Sequence, residues 1–157
     1  MSINAKVTRF GADPLLNFEL ANKQYVDSIA LGIGGLFFNG YGVTVTVTGW
    51  FWLSGWYSLS TTEIFRTTLF AQSTRLQDFY FRTSINSRNE AVTMSIRVNE
   101  ADSGITVSIP ASTTGIFSDL VNTKNVVAGD SGSMQYNQGS SSTGSMVVNT
   151  YGLGYAS

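Results

Sequence analysis

The chain has 157 residues and a net charge of −1, with nine basic residues set against ten acidic ones. That is enough for one domain with a short appendage and leaves no basic excess to hold a nucleic acid. It contains neither His nor Cys, which excludes imidazole and thiolate metal sites, Cys nucleophiles, Ser-His-Asp catalysis and disulfides. Charged residues make up only 12% and aromatics reach 13%, while Ser, Thr, Asn and Gly fill 64 positions, a composition of short strands joined by polar turns.

Residues 1–35 differ from the rest. They begin without an apolar run after a basic one, so no secretory leader is read there. The most apolar stretch, 29–38, is about half the length a spanning helix needs, and no membrane partner is expected. No Asn-x-Ser/Thr sequon occurs, and synthesis in a cytoplasm is expected. Asp13-Pro14 breaks regular structure. A short helix is predicted within 16–31, with Asn17 as N-cap and Gly32 as stop. Its apolar face, Ala21, Tyr25, Ser28 and Ile29, is too narrow to stand without a partner. Gly32, Gly34 and Gly35 read as a hinge. The expected organisation is an N-terminal attachment arm over 1–35 and a single domain over 36–157.

From Leu36 the pattern has period two. Val43, Val45 and Val47 alternate with Thr44, Thr46 and Thr48, which predicts three Val inward and three Thr outward. Strands are predicted over 63–70, 75–85 and 91–98, the last with Met94, Ile96 and Val98 on one face. Ile105, Val107 and Ile109 repeat the alternation until Pro110 ends it. Shorter strands fit 115–120, 125–128, 132–137 and 145–151, separated by Gly-, Asn-, Asp- and Ser-rich turns. Gly139 to Gly144 reads as a flexible surface loop. The fold class is all-β: a jelly-roll-like β-sandwich of about eight to ten strands, preceded by an arm with a short helix.

Little chemistry is visible. Glu100 and Asp102 flank a hairpin tip, and Asp130 sits in a Gly-rich turn, so all three read as turn residues rather than an acid–base pair or a calcium loop. There is no phosphate loop. No catalytic residue, cofactor or metal is expected. The strongest anomaly is a cluster of rings, Trp50, Phe51, Trp52, Trp56 and Tyr57. Alternation puts Trp50 and Trp52 on one face and Phe51 on the other. Such rings suit core packing, contact with another subunit, or stacking on the faces of a sugar.

The segment Lys23, Gln24, Tyr25, Val26 and Asp27, downstream of Asp13-Pro14, resembles one common in bacteriophage fibre and other virion proteins, where it joins an elongated trimeric part to the next module. The succession Arg97-Val98-Asn99, Ile105 to Pro110, Thr114 to Asp119 and Ala128-Gly129-Asp130 is similar to small jelly-roll domains of phage structural proteins. The resemblance implies a non-enzymatic virion protein: a homotrimeric capsid decoration or head-fibre protein, attached to a capsid or tail partner through Lys23 to Asp27. Trp50, Trp52, Trp56 and Tyr57 would then serve as subunit contacts or as a glycan-stacking surface. The alternatives are a tail-fibre or receptor-binding tip, and a carbohydrate-binding module with a host glycan as partner.

Overall fold

A computed structural model describes residues 33–53 and 58–156, with side chains from 42 onward. The chain divides into two units, Met1–Gly34 and Gly35–Ser157, and apart from Ile33 and Gly34, the first two residues of the strand Ile33–Val45, the described residues belong to the second. The helix expected within 16–31 and the segment Lys23 to Asp27 lie outside the described residues, as do Trp56 and Tyr57.

Ten strands are present among the described residues: β1 Ile33–Val45, β2 Gly49–Trp52, β3 Thr68–Leu69, β4 Thr74–Asn86, β5 Val92–Val98, β6 Ala101–Ile109, β7 Gly115–Asp119, β8 Lys124–Val126, β9 Ser131–Gln138 and β10 Met146–Ala156. They form two antiparallel sheets. One has the order β1-β10-β4-β7, with β8 also pairing β4; the other has the order β2-β9-β5-β6, with β3 also pairing β9. The connections β1–β2, β3–β4, β4–β5, β6–β7, β8–β9 and β9–β10 each cross from one sheet to the other. The result is a β-sandwich.

Alternation explains the core. Phe79, Phe81, Tyr151 and Leu153 point inward from the first sheet, and Met94, Ile96, Met134 and Tyr136 from the second. Each large side chain removed from water contributes about 1.5–3 kcal/mol before the entropy of ordering the chain. Buried polar groups are mostly satisfied. The Thr83 hydroxyl donates to the Val147 carbonyl at 2.7 Å. The Tyr151 hydroxyl donates to the Trp52 carbonyl at 2.7 Å and so ties one sheet to the other. Arg88 is fully buried; it donates to the Val45 carbonyl at 2.8 Å and lies 5.7 Å from the Tyr136 ring.

Several expectations need correction. The Val/Thr alternation stops early: β1 ends at Val45, and Val47 lies in the following bend, 46% exposed. Gly34 and Gly35, read as a hinge, lie within β1. The strand expected over 63–70 is a single 3-10 turn, Glu63–Arg66, followed by the two-residue β3. Its ends are taken by other partners. Glu63 accepts from Arg97 and from Ser133, both at 2.7 Å, while the Arg66 guanidinium lies 4.0 Å over the Trp52 ring. The loop from Gly139 to Gly144 is pinned: Thr143 N–H donates to the Asn89 side chain at 2.7 Å, and Ser87 and Ser145 bond reciprocally.

Candidate functional site

The site is built on β4 and its two neighbours. A straight period-two strand from Leu76 would turn Asp78 and Tyr80 into the core and put Phe79 and Phe81 in water. Burial of an unpaired carboxylate forbids that. The strand instead slips phase at Asp78, whose φ of 51° lies in the left-handed region that Asp tolerates better than most residues. The slip shows in the pairing: Gly152 faces Tyr80, but Gly154 faces Gln77. Leu76 and Phe79 therefore both point inward, and Tyr80 and Arg82 point out. A second slip lies between Val148 and Thr150 on β10, where the Asn149 side chain accepts from the Ser84 N–H at 2.6 Å. β-Bulges raise local twist and re-aim side chains. Here they bracket one stretch of the outer sheet face.

On that stretch Tyr80 is 46% exposed. Its cross-strand neighbours are Gly152 on β10 and Ser118 on β7. Neither is large enough to cover the ring. Arg82 stands between Thr150 and Ile116 in the next row, and Ile116 is 70% exposed. Tyr80, Arg82, Ile116, Thr150 and Gly152 line, with Asp78, a mostly apolar cleft of about 380 Å³. A short relay orders its polar end: Arg75 Nη2 donates to Gln77 Oε1 at 3.2 Å, and Gln77 Nε2 donates to Asp78 Oδ2 at 3.1 Å. The backbone of Gly154 leaves room for the Asp78 side chain, because a Cβ there would stand 3.1 Å from that of Asp78. An apolar cleft with a ring and a few fixed polar groups is the usual form of a small-molecule site.

Of the residues singled out from the sequence, Trp50 and Trp52 share the outer face of β2 while Phe51 enters the core, 2% exposed. Both Trp rings are half-buried against the following segment. Trp50 and Ser60 exchange backbone hydrogen bonds of 2.8 and 3.0 Å. Arg66 covers a face of Trp52 and is itself held by the Ser58 carbonyl and hydroxyl, both at 2.9 Å. Of the carboxylates read as turn residues, Glu100 lies in the turn between β5 and β6 and Asp130 directly precedes β9, whereas Asp102 lies within β6. Asp102 accepts from Gly104 N–H at 2.9 Å. Asp130 accepts from the Asn99 side chain and the Val127 N–H, and these bonds hold its carboxyl below the ordinary range. No cluster of three metal-ligating side chains occurs among the described residues. Tyr80, Arg82, Asp78 and Gln77 were not identified from the sequence. The signal was present: a charged residue at Asp78 in phase with Leu76, directly before Phe79-Tyr80-Phe81.

No protein-family model matches the chain, and no curated protein matches it. Among solved structures it is similar to the CBM36-1 domain of a multidomain xylanase from the hindgut metagenome of Trinervitermes trinervoides. That likeness has 14% identity and a TM-score of 0.40, and covers 77% of each chain. It is also similar to the Podospora anserina GH26-CBM35 β-(1,4)-mannanase, at 14% identity and a TM-score of 0.43, over 79% of this chain and 28% of that one. The expected virion role is withdrawn: the two similar structures are a CBM36-1 domain of a xylanase and a GH26-CBM35 mannanase, and neither is a capsid, decoration or fibre protein. The homotrimer and the capsid or tail partner rested on that resemblance and gain no support from these likenesses. At such identity the likeness concerns fold alone.

Proposed function

We propose that this β-sandwich is a non-catalytic carbohydrate-binding module whose binding face is the outer surface of β10, β4 and β7 around Tyr80. The carrying observation is the Tyr80 ring, left uncovered by Gly152 and Ser118 at the floor of a cleft with polar groups at its edges. A pyranose presents apolar C–H faces and a rim of hydroxyls. The ring suits the first, and Arg82, Asp78, Gln77 and Thr150 supply donors and acceptors for the second. Asp78 and Gln77 are already linked, so little side-chain entropy remains to be lost there on binding.

Affinity electrophoresis through gels containing soluble polysaccharides, a xylan and a mannan among them, tests this reading. The wild-type chain is retarded by at least one of the polysaccharides. Tyr80→Ala weakens retardation by about tenfold or more, the usual loss at a central aromatic contact, and its melting temperature stays close to wild type because the ring is not in the core. Undiminished retardation of a folded Tyr80→Ala protein would place binding on another face.

A further inference from the structure

The charges on the same face narrow the ligand. Six Lys and Arg side chains lie among the described residues. Arg97 is paired with Glu63. Arg66 stacks on Trp52, and Arg88 is buried. Lys124 pairs across from the inward-facing Leu76 and acts on Asp130. The remaining two, Arg75 and Arg82, are exposed, have no ion pair among the described residues, and both project from the outer face of β4. Arg82 lines the Tyr80 cleft. Arg75 lines a second hollow of about 460 Å³, bounded by Ser73, Asn125, Val127 and Ala156. Both hollows lie against β4; between Arg75 of the second and Asp78 of the first the strand holds the inward-facing Leu76 and then Gln77. Seven residues at ~3.3 Å each, less the bulge, separate the two guanidinium stems by about 20 Å. That spans several sugar units laid end to end. Asp78 is the one carboxylate on this track, and its Oδ2 already accepts from Gln77.

We infer that the ligand is an extended acidic polysaccharide, lying along β4 with its carboxylate or sulfate groups on Arg75 and Arg82 and a sugar face on Tyr80. The inference rests on the carbohydrate-binding reading above and specifies its substrate class. Charge complementarity carries it: in a protein of net charge −1, the two guanidinium groups without an ion pair among the described residues stand on one face of one strand, each lining its own hollow. Guanidinium forks match carboxylate and sulfate oxygens in a bidentate way.

The test uses the full chain and four polymers: polygalacturonate for carboxylates, dextran sulfate for sulfates, and xylan and mannan as neutral chains. The expected result is binding to at least one acidic polymer about tenfold or more tighter than to either neutral one, weakened by added salt. Arg75→Gln and Arg82→Gln each lower that affinity about tenfold, whereas Lys124→Gln, which removes the same charge from elsewhere, leaves it unchanged. Preference for polygalacturonate over dextran sulfate assigns the anion as carboxylate, and the reverse assigns it as sulfate. Equal binding of neutral and acidic chains, with both Arg variants unaffected, overturns the acidic ligand and leaves the carbohydrate-binding reading standing. An equal loss in Lys124→Gln shows unspecific charge attraction and also overturns it. Failure to bind all four polymers overturns both readings.

Discussion

Asp119 shows how much a single carboxylate contributes when backbone donors converge on it. It ends β7, yet Oδ2 accepts from Thr106 N–H on the opposite sheet at 2.9 Å and from Asn122 Nδ2 at 3.0 Å, while Oδ1 accepts from Val121 and Asn122 N–H. Burial by itself raises the pKa. The Asn122 side chain and the Asn122, Thr106 and Val121 N–H groups outweigh it and hold the carboxyl below its ordinary 3.8. A depressed pKa in the folded state stabilises the fold fully above the unfolded value, and that contribution is lost as pH falls through the folded value. Asp119→Asn turns an NH₂ group onto at least one pair of donors. Urea denaturation at pH 7 is expected to show a loss of about 1–3 kcal/mol. The gap from wild type is expected to narrow as the pH is taken below 3.8. A gap that stays constant into acid would mean that Asp119 acts through shape alone.

At the scale of elements, the loops at one end of the sandwich form a clasp. Ser87 N–H donates to the Ser145 carbonyl at 2.8 Å, Ser145 N–H returns to Ser87 Oγ at 3.0 Å, and Asn89 and Thr143 repeat the exchange one step further out. Gly144 sits inside it with φ of 86°, where a Cβ would collide with the Ser87 carbonyl. Gly144→Ala is therefore expected to cost more than about 1 kcal/mol, from left-handed strain and from displacement of the clasp. A thermal melt reads this directly, and an unchanged midpoint would show that the clasp yields without cost. Strand positions were largely legible, because β5 repeats apolar side chains every second residue over all its seven residues and β6 does so over its last five, Ile105 to Ile109. The 3-10 turn Glu63–Arg66 was not, since its cause is two distant attractions, Glu63 to Arg97 and Arg66 to Trp52. Neither leaves a trace in local periodicity.

For the whole molecule, the sequence disclosed the sandwich but not the face that matters. Trp50 and Trp52 drew attention as the conspicuous rings, yet in the fold they are half-covered by the chain that follows them. In the sequence Tyr80 is one ring in a row of three, Phe79-Tyr80-Phe81. Which of Phe79, Tyr80 and Phe81 faces water depends on the phase slip at Asp78, and a slip is defined only against the partner strand β10. The distribution of charge was equally hidden. A net charge of −1 conceals two arginines without an ion pair on one face, because the pairing of Arg97, the stacking of Arg66 and the burial of Arg88 are properties of the fold. The measurement that bears most directly on the binding face is an amide chemical-shift titration of isotopically labelled full-length protein with oligosaccharides of whichever polymer it retains. Shifts concentrated at Tyr80, Arg82, Ile116, Gly152 and Gly154 are the predicted result. Shifts confined to β2 and β9 on the opposite sheet would contradict the assignment.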